Sequence, residues 1–150
     1  MNYVVYKVVK RIDKRILSVI AYPPYMYRLG MFNIPKYGEF FVFKDKTYAR
    51  KFGLGQFFEN VGTANLFSLK YELWECVSTY EPKCLKYGID YLGENEAKKF
   101  WDLARDRPLS PQLIYEHFSE YVLPFKTYTV QDLLLLSKIE NLDHSSPLNY

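Results

Sequence analysis

The stretch Pro35–Gly53, P-K-Y-G-E-F-F-V-F-K-D-K-T-Y-A-R-K-F-G, constrains this chain more than any other. Phe40, Phe41, Val42 and Phe43 form an unbroken apolar run after a Tyr-Gly turn signal. That is the pattern of a short strand buried on both faces. Asp45 stands where a helix N-cap would, its carboxylate able to accept from the unpaired amides of a first helical turn. Tyr48, Ala49 and Phe52 then share one helical face, and Gly53 is placed to close the helix as a C′ glycine. The segment therefore predicts strand, tight connection and short helix.

Other strands are predicted before and after it. Tyr3, Val4, Val5, Tyr6, Val8 and Val9 make a β-branched and aromatic run that favours strand over helix. Arg15–Tyr22 is predicted to return antiparallel to it across a charged loop of five residues, Lys10–Lys14, and Pro23-Pro24 ends that strand. Tyr25–Leu29 reads as a short strand. Leu69–Thr79 reads as a central strand with partial alternation, and Cys84–Tyr87 as a short edge strand. From Glu94 the period changes. Ala97, Phe100, Trp101 and Ala104 predict an amphipathic helix, Ser110-Pro111 opens a second helix to about Tyr121, and Thr129–Asp132 resembles a cap for a last helix, Val130–Glu140. The expected fold class is α+β in a single domain: a mostly antiparallel N-terminal sheet over residues 1–90 with one inserted short helix, covered by C-terminal helices over 94–140, with a frayed tail at 141–150.

A chain of 150 residues buries roughly 70% of its unfolded surface and sustains a core without staples. Its formal charge of +3 is slight, with Lys and Arg scattered among acids, which disfavours a dedicated nucleic-acid binder. Cys76 and Cys84 have neither zinc-site spacing nor a disulfide framework, so reduced thiols are expected. No stretch approaches the roughly eighteen apolar residues of a membrane span, and a cytoplasmic protein is the working expectation.

The sequence carries no phosphate-binding loop, no H-E-x-x-H and no nucleophile elbow, and no cofactor is implied. His117 and His144 share no local geometry. Glu72 and Glu75 are expected on opposite faces of their strand, so they form no acid/base pair. The aromatic surplus, 15 Tyr and 11 Phe, draws attention instead. Tyr22, Tyr25, Tyr27 and Tyr37 cluster around prolines before the central strand, and Phe57 and Phe58 lie in a glycine-containing loop. If exposed, such rings anchor a partner protein or stack a base; otherwise they pack over a sheet edge.

The spread-out pattern Y-K-V-V, Y-R-L-G, P-x-x-G-x-F-F-V-F, A-x-x-F and L-W-E-C, across about the first 80 residues, resembles a group of small uncharacterised proteins of bacteriophages and other viruses. The resemblance implies an accessory protein that binds a host component, such as part of a host defence, in the host cytoplasm. Gly38, Phe40, Phe41, Ala49 and Phe52 are also similar to an element of ADP-ribosyltransferase folds. That likeness implies a nucleotide pocket with Arg28, Tyr48 and Glu75, although Tyr6-Lys7 stands where the family's first strand carries its cofactor-holding His or Arg. The expectation that follows is a non-enzymatic protein binding a host macromolecule, with nucleotide binding and single-stranded RNA binding as alternatives.

Overall fold

The computed structural model describes residues 1–19, 25–36, 38–54, 70–84, 98–103 and 126–143. Their organising pair is β1 (Tyr3–Ile12) with β5 (Lys70–Ser78), antiparallel from Tyr3↔Ser78 to Arg11↔Lys70. β2 (Arg15–Ser18) folds back on the end of β1 with Ile12 opposite Arg15. The loop is therefore Asp13-Lys14, shorter than the sequence suggests, and Asp13 takes the positive φ of 56° that a two-residue hairpin of this hand requires. β3 (Met26–Tyr27) extends the sheet beyond β2.

On the same side of β1, β4 (Phe40–Phe43) meets it at Tyr6↔Phe43 and continues to β7 (Thr127–Val130), which carries β6 (Lys83–Cys84) at its far edge. β8 (Leu134–Asp143) lies on the outer side of β5. Residues 131–133 join β7 to β8, so the two wings of the sheet converge at this corner and the sheet curves around its own core. One face packs Val5, Val9, Ile16, Tyr27, Phe40, Val42, Trp74, Cys76, Val130, Leu133 and Leu135. The other packs Val8, Phe43, Tyr71, Leu73 and Leu142 under α1 (Lys46–Gly53).

The central segment folds as its residues dictate. All four side chains of β4 are buried, Phe40 and Val42 in the first core and Phe43 in the second, while Phe41 stacks on Trp101 of a short helix over 98–103 at 5.4 Å. Asp45 caps α1 by accepting from the amides of Thr47 at 2.7 Å and Tyr48 at 3.3 Å. Gly53 does not serve as C′. It is the last helical residue, Leu54 follows at φ −87°, and a Cβ on Gly53 would lie 2.1 Å from Leu142 Cδ1. The glycine is there for close approach of helix to sheet.

The expected fold class needs correction. The sheet is not confined to the N-terminal part, and C-terminal helices do not cover it. Residues 127–143 are the strands β7 and β8, where the last helix Val130–Glu140 was expected, and the fold is mostly antiparallel sheet. Asp132, expected to cap that helix, accepts instead from Ser78 Oγ at 2.7 Å, from the Thr79 amide at 2.9 Å and from Thr79 Oγ1. The first of the expected C-terminal helices is present over 98–103, with Phe100 buried and Lys98, Lys99 and Asp102 outward. The second, Ser110–Tyr121, lies outside the described residues, as does 144–150.

Lys7 is the one lysine of the buried set. Its ammonium is buried and donates to the Phe41 carbonyl of β4, beside the single pair Tyr6↔Phe43 that joins β1 to β4. Burial pushes its pKa down from 10.5 to about 8, and the nearby Cys76 only partly offsets this. The folded protein therefore binds less proton at Lys7 than the unfolded chain does between about pH 8 and 10.5. Its charge penalises folding fully below pH 8, and the penalty fades as pH rises to 10.5. Cys76 and Tyr71, both pushed up to about 12 by burial, act with the opposite sign above their unfolded values, so a comparison with Lys7→Met isolates the lysine. Measured by urea unfolding, the stability of the wild type relative to Lys7→Met should rise by up to ~3 kcal/mol from pH 8 to 10.5. An unchanged difference would show that burial does not lower the Lys7 pKa.

Candidate functional site

Between β3 and β4 the chain forms a loop whose centre is Asn33. Gly30 turns it at φ +77°, a conformation glycine adopts without strain. Asn33 is 2% exposed. Its Oδ1 accepts from the Arg28 amide at 2.8 Å, and its Nδ2 donates to the carbonyls of Arg28 at 3.0 Å, Leu133 at 3.1 Å and Met31 at 3.3 Å. Its own amide and carbonyl pair with Leu133 at 2.8 and 3.0 Å. One side chain thus closes the loop on itself and fastens it to the corner between β7 and β8. Asp132, next along, ties that corner to the end of β5.

With the Arg28 amide and carbonyl and the Met31 carbonyl held by Asn33, four apolar side chains of the stretch 26–34 face solvent. Ile34 is 70% exposed, Leu29 58%, Met26 48% and Met31 47%. Exposed apolar residues scattered singly carry no message, but four within nine residues, on backbone fastened from beneath, form a preorganised apolar surface. The charges carried by 25–36 are Arg28 and Lys36, both basic.

The tyrosines singled out from the sequence separate here. Tyr25 and Tyr27 are brought together with Phe40, edge to ring, at centroid distances of 5.0 to 5.4 Å. Tyr27 is buried, and its hydroxyl finds no hydrogen-bond partner among the described residues. Burial raises its pKa well above the ordinary tyrosine value. Tyr25 is half-buried beside it. These two rings are the packed support under the loop rather than its contact face. Tyr22, Tyr37, Phe57 and Phe58 lie outside the described residues.

The chain matches no protein-family profile, no curated protein and no solved structure.

Arg28, Tyr48 and Glu75, the residues of the nucleotide alternative, are not assembled into one pocket. Arg28 is exposed beyond β3, and strands β2 and β1 stand between β3 and β5, which carries Glu75. Tyr48 sits on α1 with the Lys126 ammonium 4.9 Å above its ring. Glu72, on the face opposite Glu75, is 5% exposed and receives both Nε and Nη2 of Arg11, at 3.1 and 3.0 Å, and the Trp74 indole N–H at 2.9 Å. Burial raises its pKa, but these bonds and the nearby Lys138 outweigh burial and leave the carboxyl below its ordinary value. It is a satisfied structural anion. No group of three His, Cys, Asp or Glu side chains that could hold a metal occurs among the described residues, and none of their helices is long and apolar enough to cross a membrane.

Neither Asn33 nor the exposed quartet is singled out by the sequence patterns, because the strand signal ends at Leu29 and no motif marks the residues that follow it. The signal present was four large apolar residues around a glycine, with no charge between Leu29 and Pro35 to solvate them. Asn33→Ala should lower stability by about 3 kcal/mol in urea unfolding, because it strips several buried backbone groups of partners. Amide exchange across 28–34 should accelerate with it. Unchanged exchange would mean that Asn33 does not fix the loop.

Proposed function

We propose that this is a non-enzymatic binding protein that captures a partner protein through the apolar loop over 26–34. The observation that carries the reading is the outward quartet Met26, Leu29, Met31 and Ile34, the first on backbone paired with β2 and the others on a loop fastened by Asn33. Burying such side chains contributes about 1.5 to 3 kcal/mol each, and a loop already fixed loses little entropy on binding. The partner fitted by this surface has an apolar cleft, and the basic Arg28 and Lys36 favour an acidic rim on it. Taken with the likeness to small phage and viral proteins, the partner is a host protein and the effect is inhibition or redirection.

Among the described residues the rival readings find less support. A nucleotide pocket would need Arg28, Tyr48 and Glu75 to converge. Stacking of RNA bases would need a set of exposed rings; of those singled out, Tyr27 is buried and Tyr25 half-buried, and Tyr22, Tyr37, Phe57 and Phe58 lie outside the described residues.

The test is affinity capture from a bacterial lysate with the tagged protein and with a Leu29→Asp/Ile34→Asp double variant. Both substitutions are at exposed positions, so the thermal midpoint should be preserved. A stoichiometric protein taken up by the wild type should be lost from the variant, with affinity at least ~100-fold weaker. Equal capture by a folded double variant would refute the proposal.

A further inference from the structure

The chain has three methionines: Met1, and then Met26 and Met31. Met26 stands in β3 where the loop begins and Met31 within the loop, and each is about half exposed, at 48% and 47%. Leucine and isoleucine, which supply the other two side chains of the quartet, match methionine in apolar character but are inert to mild oxidants. A thioether is not. Its sulfur lone pair attacks a peroxide oxygen, the O–O bond breaks, and sulfoxide and water result. The sulfur is oxidised by two electrons and the peroxide reduced by two. The product is a polar, hydrogen-bond-accepting group where an apolar one stood, and sulfoxide reductases reverse the change.

Resting on the loop reading above, we propose that Met26 and Met31 form an oxidation site through which a peroxide switches the apolar surface off. The geometry supplies access without unfolding, since both side chains already meet solvent. Asn33 Nδ2 holds the Met31 carbonyl at 3.3 Å, a backbone contact that leaves the thioether outward. Core thiol chemistry does not compete. Cys76 is fully buried, with its pKa pushed up to about 12 by burial, so it stays protonated. The exposed Cys84 lies apart from the loop on β6, at the opposite end of the strand order from β3.

The experiment uses the full chain with Cys84→Ser, which removes the exposed thiol, treated with dilute hydrogen peroxide and checked by peptide mass spectrometry for one added oxygen on each internal methionine. The probe is retention on phenyl-agarose in a falling ammonium sulfate gradient. Oxidised protein should elute earlier, at higher salt, and treatment with methionine sulfoxide reductases should restore the original position. A Met26→Leu/Met31→Leu variant in the same background should hold its position after peroxide. Unchanged elution of fully oxidised protein, or an equal shift in the double leucine variant, would overturn the switch. The Leu29→Asp/Ile34→Asp variant separates the two levels of the argument. If it elutes early while oxidation has no effect, the loop is an apolar surface without a switch, and if it too elutes unchanged, the apolar surface itself is refuted.

Discussion

The pairing of β1 with β5 is the constraint from which the rest of the sheet takes its place. It is long, regular and buried over most of its length on both sides, so its register fixes which residues enter each core. Val5 and Val9 share one face with Trp74 and Cys76, while Val8 shares the other with Tyr71 and Leu73. A slip of one residue would exchange these sets and drive Glu75 into the first core. The ion-paired carboxylate Glu72 on the first face sits toward the end of the ladder, where Arg11 can reach it. The other strands attach to this pair by shorter ladders, which lets the sheet bend around its contents.

How much of this was legible depends on whether the deciding interaction is local. Asp45 and the helix it starts were readable because cap and first turn lie within three residues of each other. The run Phe40–Phe43 was readable because burial on both faces leaves an unbroken apolar signature. β8 was misread for a specific reason. Its pairing with β5 shifts register twice, so Leu135, Lys138 and Asn141 are the residues opposite Cys76, Trp74 and Glu72, three same-face positions of β5. Bulges at Leu136 and Ile139 thus convert a period of two into a spacing of three, which mimics a helix and leaves both extra side chains exposed. No pattern within the segment could reveal this, since the partner that sets it is some sixty residues away in the chain.

The same distinction divides the candidate surface. Its apolar residues are written in the local sequence, but what makes them a surface is Asn33, whose partners include Leu133. Tyrosines proposed as contacts turned out to be support: Tyr27 and Tyr25 fill the space between loop and core, and the smaller, unremarked aliphatic and thioether side chains reach solvent. In a chain so rich in aromatic residues, ring content identifies packing more readily than recognition. Exposed side chains without rings are the more informative exception.

The bond from Asn33 to Leu133 spans 100 residues of chain. During synthesis the loop leaves the ribosome first, and the carbonyl and amide that lock it follow only 100 residues later. A nascent chain that has not reached Leu133 cannot therefore display the finished apolar loop. Display of the surface is in effect a report that translation has passed this residue.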